Sequence, residues 1–382
     1  MPFDVSVVPC SAYTPETCRT ALVQVLEPLG GLHWVQPGMR VVVKANLVAG
    51  MAPDRAATTH PALLLALTQL LQERGAHVII GDSPGGLYTP AFVEKIYRAA
   101  GLYSVEAAGA ELNRNFAQAQ ATYPQALAAR TFQYTQYLAE ADAIIDFCKL
   151  KSHGMMGMSA AAKNLFGAIP GTLKPEYHFR FPDPRDFARM IVDLDEYFHP
   201  ILSLADAVVA MEGNGPTQGT PRPMGALLAS PSPHKLDLAC AWLIGLERSQ
   251  VPTLEAALER NLIPPHVQDL HIAGDLSAFR VPDFQKLETP SSLLFRGRRG
   301  TGWGRIQGAV IQKLLSARPE ASAQCIGCGK CAGLCPAKAI TMVRGRPAIR
   351  RSQCIRCFCC QEFCPVGAME VHRTAIAKML NR

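Results

Sequence analysis

The sequence lacks the features that would place a protein in a membrane or outside the cell. Its longest apolar stretch runs from Pro61 to Leu71, which is too short for a membrane-spanning helix of about 20 residues. Asp4 interrupts the first residues and no apolar core follows a basic start, so we expect no signal peptide and a cytoplasmic location. Because the cytoplasm keeps thiols reduced, the 13 cysteines are not expected to form a disulfide framework.

Two further signals are missing. No helix-turn-helix or base-stacking motif accompanies the basic residues, which argues against a nucleic-acid partner. The glycine-rich turn at 81–86 is not the G-x-G-x-x-G fingerprint of dinucleotide-binding folds, and no flavin fingerprint is evident, so an organic cofactor stays unknown. The 382 residues, 48% hydrophobic and 18% charged, suit a well-cored protein of two or three domains.

The sequence does contain a repeated cysteine pattern near its C-terminal end. The pattern C-x2-C-x2-C-x3-C-P occurs twice, and the second copy is shifted by 29 residues (354 minus 325). This spacing is typical of bacterial ferredoxins with two [4Fe-4S] clusters, in which the fourth cysteine of each run binds the other cluster. The expected ligands are Cys325, Cys328, Cys331 and Cys364 for cluster one, and Cys354, Cys357, Cys360 and Cys335 for cluster two.

Zinc sites and disulfides are the alternatives to clusters. Zinc knuckles use paired C-x2-C spacings and need neither the third cysteine nor the C-P ending. Disulfides need an oxidising compartment. Cys359 breaks the symmetry of the repeat and is interpreted as a bystander near a cluster.

Positive charge is concentrated from Arg296 onward, within a net charge of +7. This predicts an acidic redox partner protein, an anionic lipid surface or a small anionic substrate. The alternative is a solvated face that compensates the negative charge of the clusters.

Strand and helix patterns alternate through the first part of the chain, at 40–47, 58–74, 76–81, 89–101, 142–153, 184–199 and 202–212, and a last strand is predicted at 267–272. This order predicts an α/β fold with a mostly parallel sheet flanked by helices. We divide the chain into an α/β domain at 1–276, a basic connector at 277–318 and a small α+β ferredoxin-like domain at 319–382. Residues 103–133 carry little pattern.

Polar residues gather where the predicted strands end, which is where ligands bind in open α/β sheets. Lys149, Lys151 and Lys163, brought together there, are tolerated when an anion fills the cluster or a carboxylate such as Asp82 pairs with it. The alternatives are a solvent-exposed lysine rim and ordinary tight turns. The candidate anion-binding residues are Lys44, Asn46, Asp82, Lys163, Asn164 and Asn214, and the candidate catalytic residues are Lys149, Lys151 and His153.

Five of these stretches resemble the DUF362 family of iron–sulfur proteins. They are Val43-Lys44-Ala-Asn46-Leu, Thr59-His60-Pro61 with Gly81-Asp82-Ser-Pro-Gly, Lys149-Leu-Lys151-Ser-His153, Lys163-Asn164-Leu-Phe-Gly167 and Glu212-Gly-Asn214-Gly-Pro216. The resemblance implies an α/β domain fused to a two-cluster ferredoxin. It implies no particular reaction.

The leading hypothesis is an oxidoreductase that passes electrons through two [4Fe-4S] clusters to an anionic substrate or bound cofactor in the α/β domain. His153 is the expected proton donor, because an unperturbed histidine titrates near neutral pH. The alternatives are a non-catalytic electron carrier whose α/β domain docks a partner, and a redox sensor.

Overall fold

The computed structural model describes residues 2–286 and 318–372. Within them, the larger part of the chain forms a mixed sheet with helices on both faces, which confirms the predicted α/β class. The first eleven strands in chain order are β1 (Val5–Pro9), β2 (Arg40–Ala45), β3 (His77–Gly81), β4 (Glu111–Leu112), β5 (Gln118–Thr122), β6 (Thr131–Thr135), β7 (Ala143–His153), β8 (Gly157–Ser159), β9 (Leu202–Glu212), β10 (Thr220–Ser230) and β11 (Ile272–Ala273).

The strand order in the main sheet is β11-β1-β10-β9-β7-β2-β3-β4. Strand β8 is not part of this order and pairs antiparallel with the C-terminal end of β7. The strands from β9 to β4 are parallel, whereas β10 is antiparallel to both of its neighbours. Strand residues are apolar on both faces because helices cover both. In β2, Val41 and Val43 pack into one core and Val42 packs into the other.

Several helices begin with proline at their first position, where the missing N–H breaks no hydrogen bond. Side chains of the residues Thr14, Asp183 and Ser232 cap three of them by accepting a backbone N–H. The helices of this part are α1 (Pro15–Leu26), α2 (Pro61–Gln72), α3 (Pro90–Ala99), α4 (Tyr103–Ala107), α5 (Ala161–Leu165), α6 (Lys174–Arg180), α7 (Pro184–Phe198), α8 (Pro233–Leu243) and α9 (Pro252–Glu259).

The structure differs from the sequence-based assignment in two places. The predicted last strand at 267–272 is a 3-10 turn (Val267–Asp269) followed by the two-residue strand β11. The stretch 103–133, which has little pattern, contains α4, β4, β5 and the start of β6. Strands β5 and β6 form a separate hairpin, and alternate residues of both strands pack against α7.

The C-terminal module repeats its structure with the same 29-residue period as its cysteines. Two short helices and two strands correspond pairwise: α10 (Lys330–Gly333) with α11 (Cys359–Glu362), and β13 (Ile340–Val343) with β15 (Met369–His372). Two further strands, β12 (Arg318–Ala321) and β14 (Arg346–Ile349), pair with β15 and β13 respectively. This is the small α+β unit that the cysteine repeat predicted.

The first part of the predicted connector belongs structurally to the α/β domain. Phe284 is buried in its core, and the Gly213 N–H donates to the Gln285 carbonyl oxygen over 2.7 Å. The rest of the connector, 287–317, lies outside the described residues.

Register brings the polar strand ends together. In the sheet, Lys44 of β2 lies beside Gly81 of β3 and Asp146 of β7. Strand β7 continues to His153, beyond the end of β2. The lysines that follow the apolar cores of neighbouring strands therefore meet at one edge of the sheet.

Candidate functional site

A cavity open to solvent lies at this edge of the sheet, and its empty volume is about 490 Å³ with the open part included. Six of the predicted site residues line it: Asn46, Asp82, Lys151, His153, Lys163 and Asn164. Lys44 lies directly behind the lining, where its ammonium pairs with Asp82 at 2.8 Å. Both side chains of this pair are at least 96% buried, so the alternative of a solvent-exposed lysine rim is wrong for these lysines.

Asn46 and Asn164 join the lysines into one hydrogen-bond network. The Lys44 ammonium donates to the Asn164 Oδ1 over 3.1 Å, and the Asn46 Nδ2 donates to the same oxygen over 2.9 Å. Asn164 in turn donates to the Asp146 carboxylate over 2.6 Å. Burial raises the pKa of Asp146 well above its usual range, while Lys44 and Asn164 lower it.

Gly167 is required for the close approach of this network. A Cβ at this position would lie 2.5 Å from the Lys44 Nζ and would overlap the Asp82 carboxylate. Gly167 does not have a positive φ. Glycine is therefore needed here only because a side chain would not fit.

Lys151 differs from the other strand-end lysines in its partners. Its Nζ donates to the Asn46 Oδ1 and the Ala57 carbonyl oxygen, each over 2.7 Å, and both acceptors are neutral. Burial lowers the pKa of Lys151 to about 7. Glu362 and Asp82 oppose this shift, and the positive charges of Lys163 and Lys149 add to it.

Two lysines face the cavity from the helical side. Lys163 lies over the Phe166 ring at 4.6 Å from its centroid and has no hydrogen-bond acceptor among residues 2–286 and 318–372. Lys174, which the sequence interpretation missed, donates to the Ser83 carbonyl oxygen. Burial lowers the pKa of both groups, that of Lys174 to about 8.

The cavity also contains two histidines that are held in the neutral form. The Nδ1 of His153 accepts the N–H groups of Met155 and Met156 over 3.2 and 3.3 Å. The ring proton therefore resides on Nε2. Burial lowers the pKa of His153 well below its usual range, with Lys163, His178 and Lys151 adding to the effect. Burial likewise lowers the pKa of His178 to about 3.

Lys149 does not line the cavity. Its ammonium pairs with Asp206 at 2.9 Å and donates to the Tyr13 hydroxyl over 2.9 Å. Tyr13 stacks on His60, and the backbone N–H of His60 donates over 3.1 Å to the Asp206 Oδ2, the same oxygen that accepts from Lys149. Lys149 projects from the same face of β7 as Lys151, but it ends in a separate buried cluster.

One wall of the cavity comes from the C-terminal module. Glu362 and Phe363, which stand between Cys360 and Cys364, line it. Gly85 makes room for this contact, because a Cβ there would overlap the Phe363 ring. Asn214 lies at the same junction, where its side-chain oxygen accepts the Gln361 Nε2 over 2.8 Å.

The cysteines predicted for cluster one lie together. Cys325, Cys328, Cys331 and Cys364 line a second cavity, whose empty volume is about 330 Å³ with the part open to solvent included. Burial raises the pKa of Cys354, and the nearby Cys357 and Cys335 raise it further. The backbone N–H groups of Ala339 and Ala368 each donate over 3.2 Å, to the sulfurs of Cys335 and Cys364 respectively, at matching places in the repeat.

Sequence comparison identifies the larger part of the chain. Residues 41–242 match the family described as a domain of unknown function, DUF362. The chain belongs to the DUF362 family. The match includes the predicted site residues from Lys44 to Asn214.

A second match, to a 4Fe-4S dicluster domain, covers residues 320–365 and so contains all the cysteines of both repeats. This DUF362 protein therefore carries an iron–sulfur module of the electron-transfer type. Each cluster, when bound, accepts or donates one electron at a time.

The chain is 33% identical over 273 residues to Thylakoid-associated protein sll1697 of Synechocystis sp. (strain ATCC 27184 / PCC 6803 / Kazusa), an alignment that covers 70% of this chain and 82% of that protein. Within the described parts of the chain, none of the helices combines the length and apolar character needed to span a membrane.

Likenesses to solved structures are weaker. The lactate racemase apoprotein from Thermoanaerobacterium thermosaccharolyticum matches with a TM-score of 0.41 and 12% identity, over 63% of this chain and 57% of that one. A structural-genomics protein from Thermotoga maritima matches with a TM-score of 0.35 and 16% identity, over 56% and 55% of the two chains.

The cavity residues that sequence reasoning missed include Lys174, His178, Glu362 and Phe363. Lys174 and His178 lie four residues apart on α6, which places them on one helix face. The cysteine repeat could have indicated the other two, because they lie inside it.

Proposed function

We propose that this protein is an iron–sulfur oxidoreductase that transfers electrons from its two [4Fe-4S] clusters to a small anionic substrate bound in the lysine-lined cavity. The observation that carries the proposal is the shared wall. Glu362 and Phe363 line the cavity, and the chain on either side of them supplies Cys360 and Cys364. In this proposal the shared wall is where the cluster-binding module meets a ligand in the cavity.

The charges of the cavity favour an anion. Lys44 is paired with Asp82, but Lys163 and Lys174 have no carboxylate within ion-pair distance in the described part of the chain. Burial makes each unpaired ammonium costly, and an oxyanion in the cavity would offset that cost. Carboxylates and phosphates are the anion classes that such donors bind.

The structure changes the proposed division of roles among the catalytic candidates. A reduction consumes protons as well as electrons. His153 is neutral at physiological pH, so in this proposal it contributes a hydrogen bond from its Nε2–H. Lys151, with a pKa of about 7, is better matched to proton transfer near neutral pH. Lys149, bound in its own cluster with Asp206, has a supporting role in this proposal: it fixes the end of β7.

The proposal is tested by identifying what the cavity holds and whether it accepts electrons. The protein is purified anaerobically, and small molecules released on denaturation are identified by mass spectrometry. The clusters are then reduced with dithionite, the excess is removed, and the released compound is added while cluster absorption is followed. Lys163→Met is compared with Lys95→Met, which removes an exposed lysine on α3.

We expect an anion to be recovered from the parent and from Lys95→Met, and to reoxidise their clusters. Lys163→Met should retain at least tenfold less of it. Recovery of no anion from any of the three proteins, together with tight salt-sensitive binding to an acidic redox protein, would instead support the non-catalytic carrier.

A further inference from the structure

The two halves of the cysteine repeat differ in their exposure. In the second half, Phe358, Cys359, Cys360 and Gln361 are buried, and this half contacts the α/β domain through Phe363. The corresponding residues of the first half, 329–332, are exposed or only partly buried, and Cys328 is exposed. The second half of the repeat, which supplies three of the cysteines predicted for cluster two, therefore faces the α/β domain, and the first half, which supplies three of those predicted for cluster one, faces away from it.

Exposed apolar side chains lie next to the cysteines predicted for cluster one. Ile326 and Val366 line the cysteine cavity, yet they are 64% and 41% exposed. The turn between β13 and β14 lies beside Ile326, because a Cβ on the adjacent Gly327 would be 2.5 Å from the Gly345 carbonyl oxygen. Exposed apolar residues grouped in this way mark interaction sites more often than single ones do.

Two basic side chains flank these apolar residues. Lys330 lies in the lining of the same cysteine cavity, and Arg344 lies on the β13–β14 turn. Both residues are exposed, and neither has a carboxylate within ion-pair distance among the described residues. By contrast, Arg318 and Arg351 on the neighbouring strands share Glu320.

We propose that this docking face, formed by Ile326, Lys330, Arg344 and Val366, binds an acidic electron-carrier protein that exchanges electrons with cluster one. The inference rests on the proposed function, because it gives the relay a direction: outer partner, cluster one, cluster two, cavity. A mixed apolar and basic face fits a partner with apolar residues inside an acidic ring.

Other occupants fit the charge less well. A second copy of this chain would bring together two molecules of net charge +7. The stretch 287–317 carries Arg296, Arg298, Arg299, Arg305 and Lys313 against Glu288, so like charges would meet if it covered the face.

The test uses the cluster-loaded full-length protein and a reduced flavodoxin, an acidic electron carrier, as the probe. Cluster reduction is followed by anaerobic stopped-flow absorption at several ionic strengths. Arg344→Glu and Lys330→Glu are compared with the parent and with Arg98→Glu, which reverses an exposed charge on α3. Reduction by dithionite, which needs no docking face, checks that the clusters of each variant are intact.

We expect each reversal on the docking face to slow reduction by flavodoxin roughly tenfold at low salt, since charge complementarity acts mainly on the association rate. The parent rate should fall as salt is added, and Arg98→Glu should match the parent. If flavodoxin reduces the parent no faster than Arg344→Glu, the docking face is wrong. Lys330 precedes the predicted cluster ligand Cys331. If the two variants differ, the rate of Arg344→Glu is therefore taken as the test of the docking face.

Failure of this inference is distinguishable from failure of the proposed function. If Lys163→Met loses the anion while Arg344→Glu is reduced by flavodoxin as fast as the parent, the cavity assignment holds and the docking face is wrong. If flavodoxin reduces Arg344→Glu slowly but no anion is recovered from any of the proteins, the protein is an electron carrier and the docking face holds. Binding to anionic lipid vesicles that Arg344→Glu abolishes, without a change in flavodoxin rates, would replace the protein partner with a lipid surface and so overturn the inference.

Discussion

Anion binding in the cavity should weaken as pH rises, because two of its lysines lose their protons within the neutral range. Burial lowers the pKa of Lys151 to about 7 and that of Lys174 to about 8. A lysine with a lowered pKa is neutral above that value and charged below it. An anion that binds the charged forms must therefore bind more tightly as pH falls.

The size of the effect follows from the two values. Between pH 7 and pH 9 the protonated fraction of Lys174 falls about tenfold and that of Lys151 about fiftyfold. If the anion requires only Lys174, its affinity falls about tenfold, or about 1.4 kcal/mol. If it requires both lysines, the loss is about 500-fold, or about 3.7 kcal/mol.

Sulfate is the suitable probe, because it keeps the same charge throughout this range. Its affinity for the cluster-loaded protein is measured by anaerobic calorimetry at both pH values. Lys174→Met should remove the tenfold component of the pH dependence, and Lys151→Met should remove the larger one. Lys95→Met controls for general loss of positive charge. A sulfate affinity that is equal at the two pH values, or higher at pH 9, would refute the reasoning.

Three further predictions concern the packing around the cavity. Gly167→Ala should lower the free energy of unfolding by about 1–3 kcal/mol, since its methyl group would meet Lys44 and Asp82; anaerobic urea unfolding followed by circular dichroism measures this. Gly85→Val should separate the module from the cavity by displacing Phe363, which is detected as faster limited proteolysis between the two domains. Lys44→Met and Asp82→Asn should each lower the free energy of unfolding by about 3–5 kcal/mol, and the double variant should lower it by less than the sum of the two. Urea unfolding of the parent, the two single variants and the double variant measures this.

Each of these predictions has a matched control within the chain. A Cβ on Gly50 would make only ordinary contacts, the nearest at 3.6 Å, so Gly50→Ala should change neither stability nor proteolysis by a comparable amount. The exposed pair of Arg19 and Glu73 has a similar N–O distance of 2.8 Å, yet its removal should cost only about 0–1 kcal/mol. Equal costs for the exposed and the buried pair would contradict the importance assigned to burial.

Much of the site could be predicted because it depends on short-range pattern. The candidates Lys44, Asn46, Asp82 and Lys151 follow apolar strands, and parallel strands end at one edge of a sheet. The same reasoning offers Asp82 as a partner for Lys149, Lys151 and Lys163, whereas the structure pairs it with Lys44. The same reasoning could not separate Lys149 from Lys151, because both project from one face of β7 and only distant Asp206 distinguishes them.

Proton-transfer roles could not be predicted from residue type. His153 was favoured for a pKa near neutral, but burial beside Lys163 and His178 lowers that pKa. Lys151 was expected to hold charge, yet full burial and two neutral acceptors bring its pKa to about 7. The pKa of each group depends on solvent exclusion, which arises from segments far apart in the chain.

The sequence by itself determined the cluster-binding pattern and the α/β class. Both depend on residues close together in the sequence: eight cysteines at fixed intervals, and alternating patterns of apolar strands and helices. Tertiary structure alone decided that Glu362 and Phe363 form a wall of the cavity in the α/β domain, and that the first half of the repeat faces outward. Contacts between segments separated by more than 200 residues, such as Phe363 against Gly85, depend on shape complementarity that no local pattern encodes.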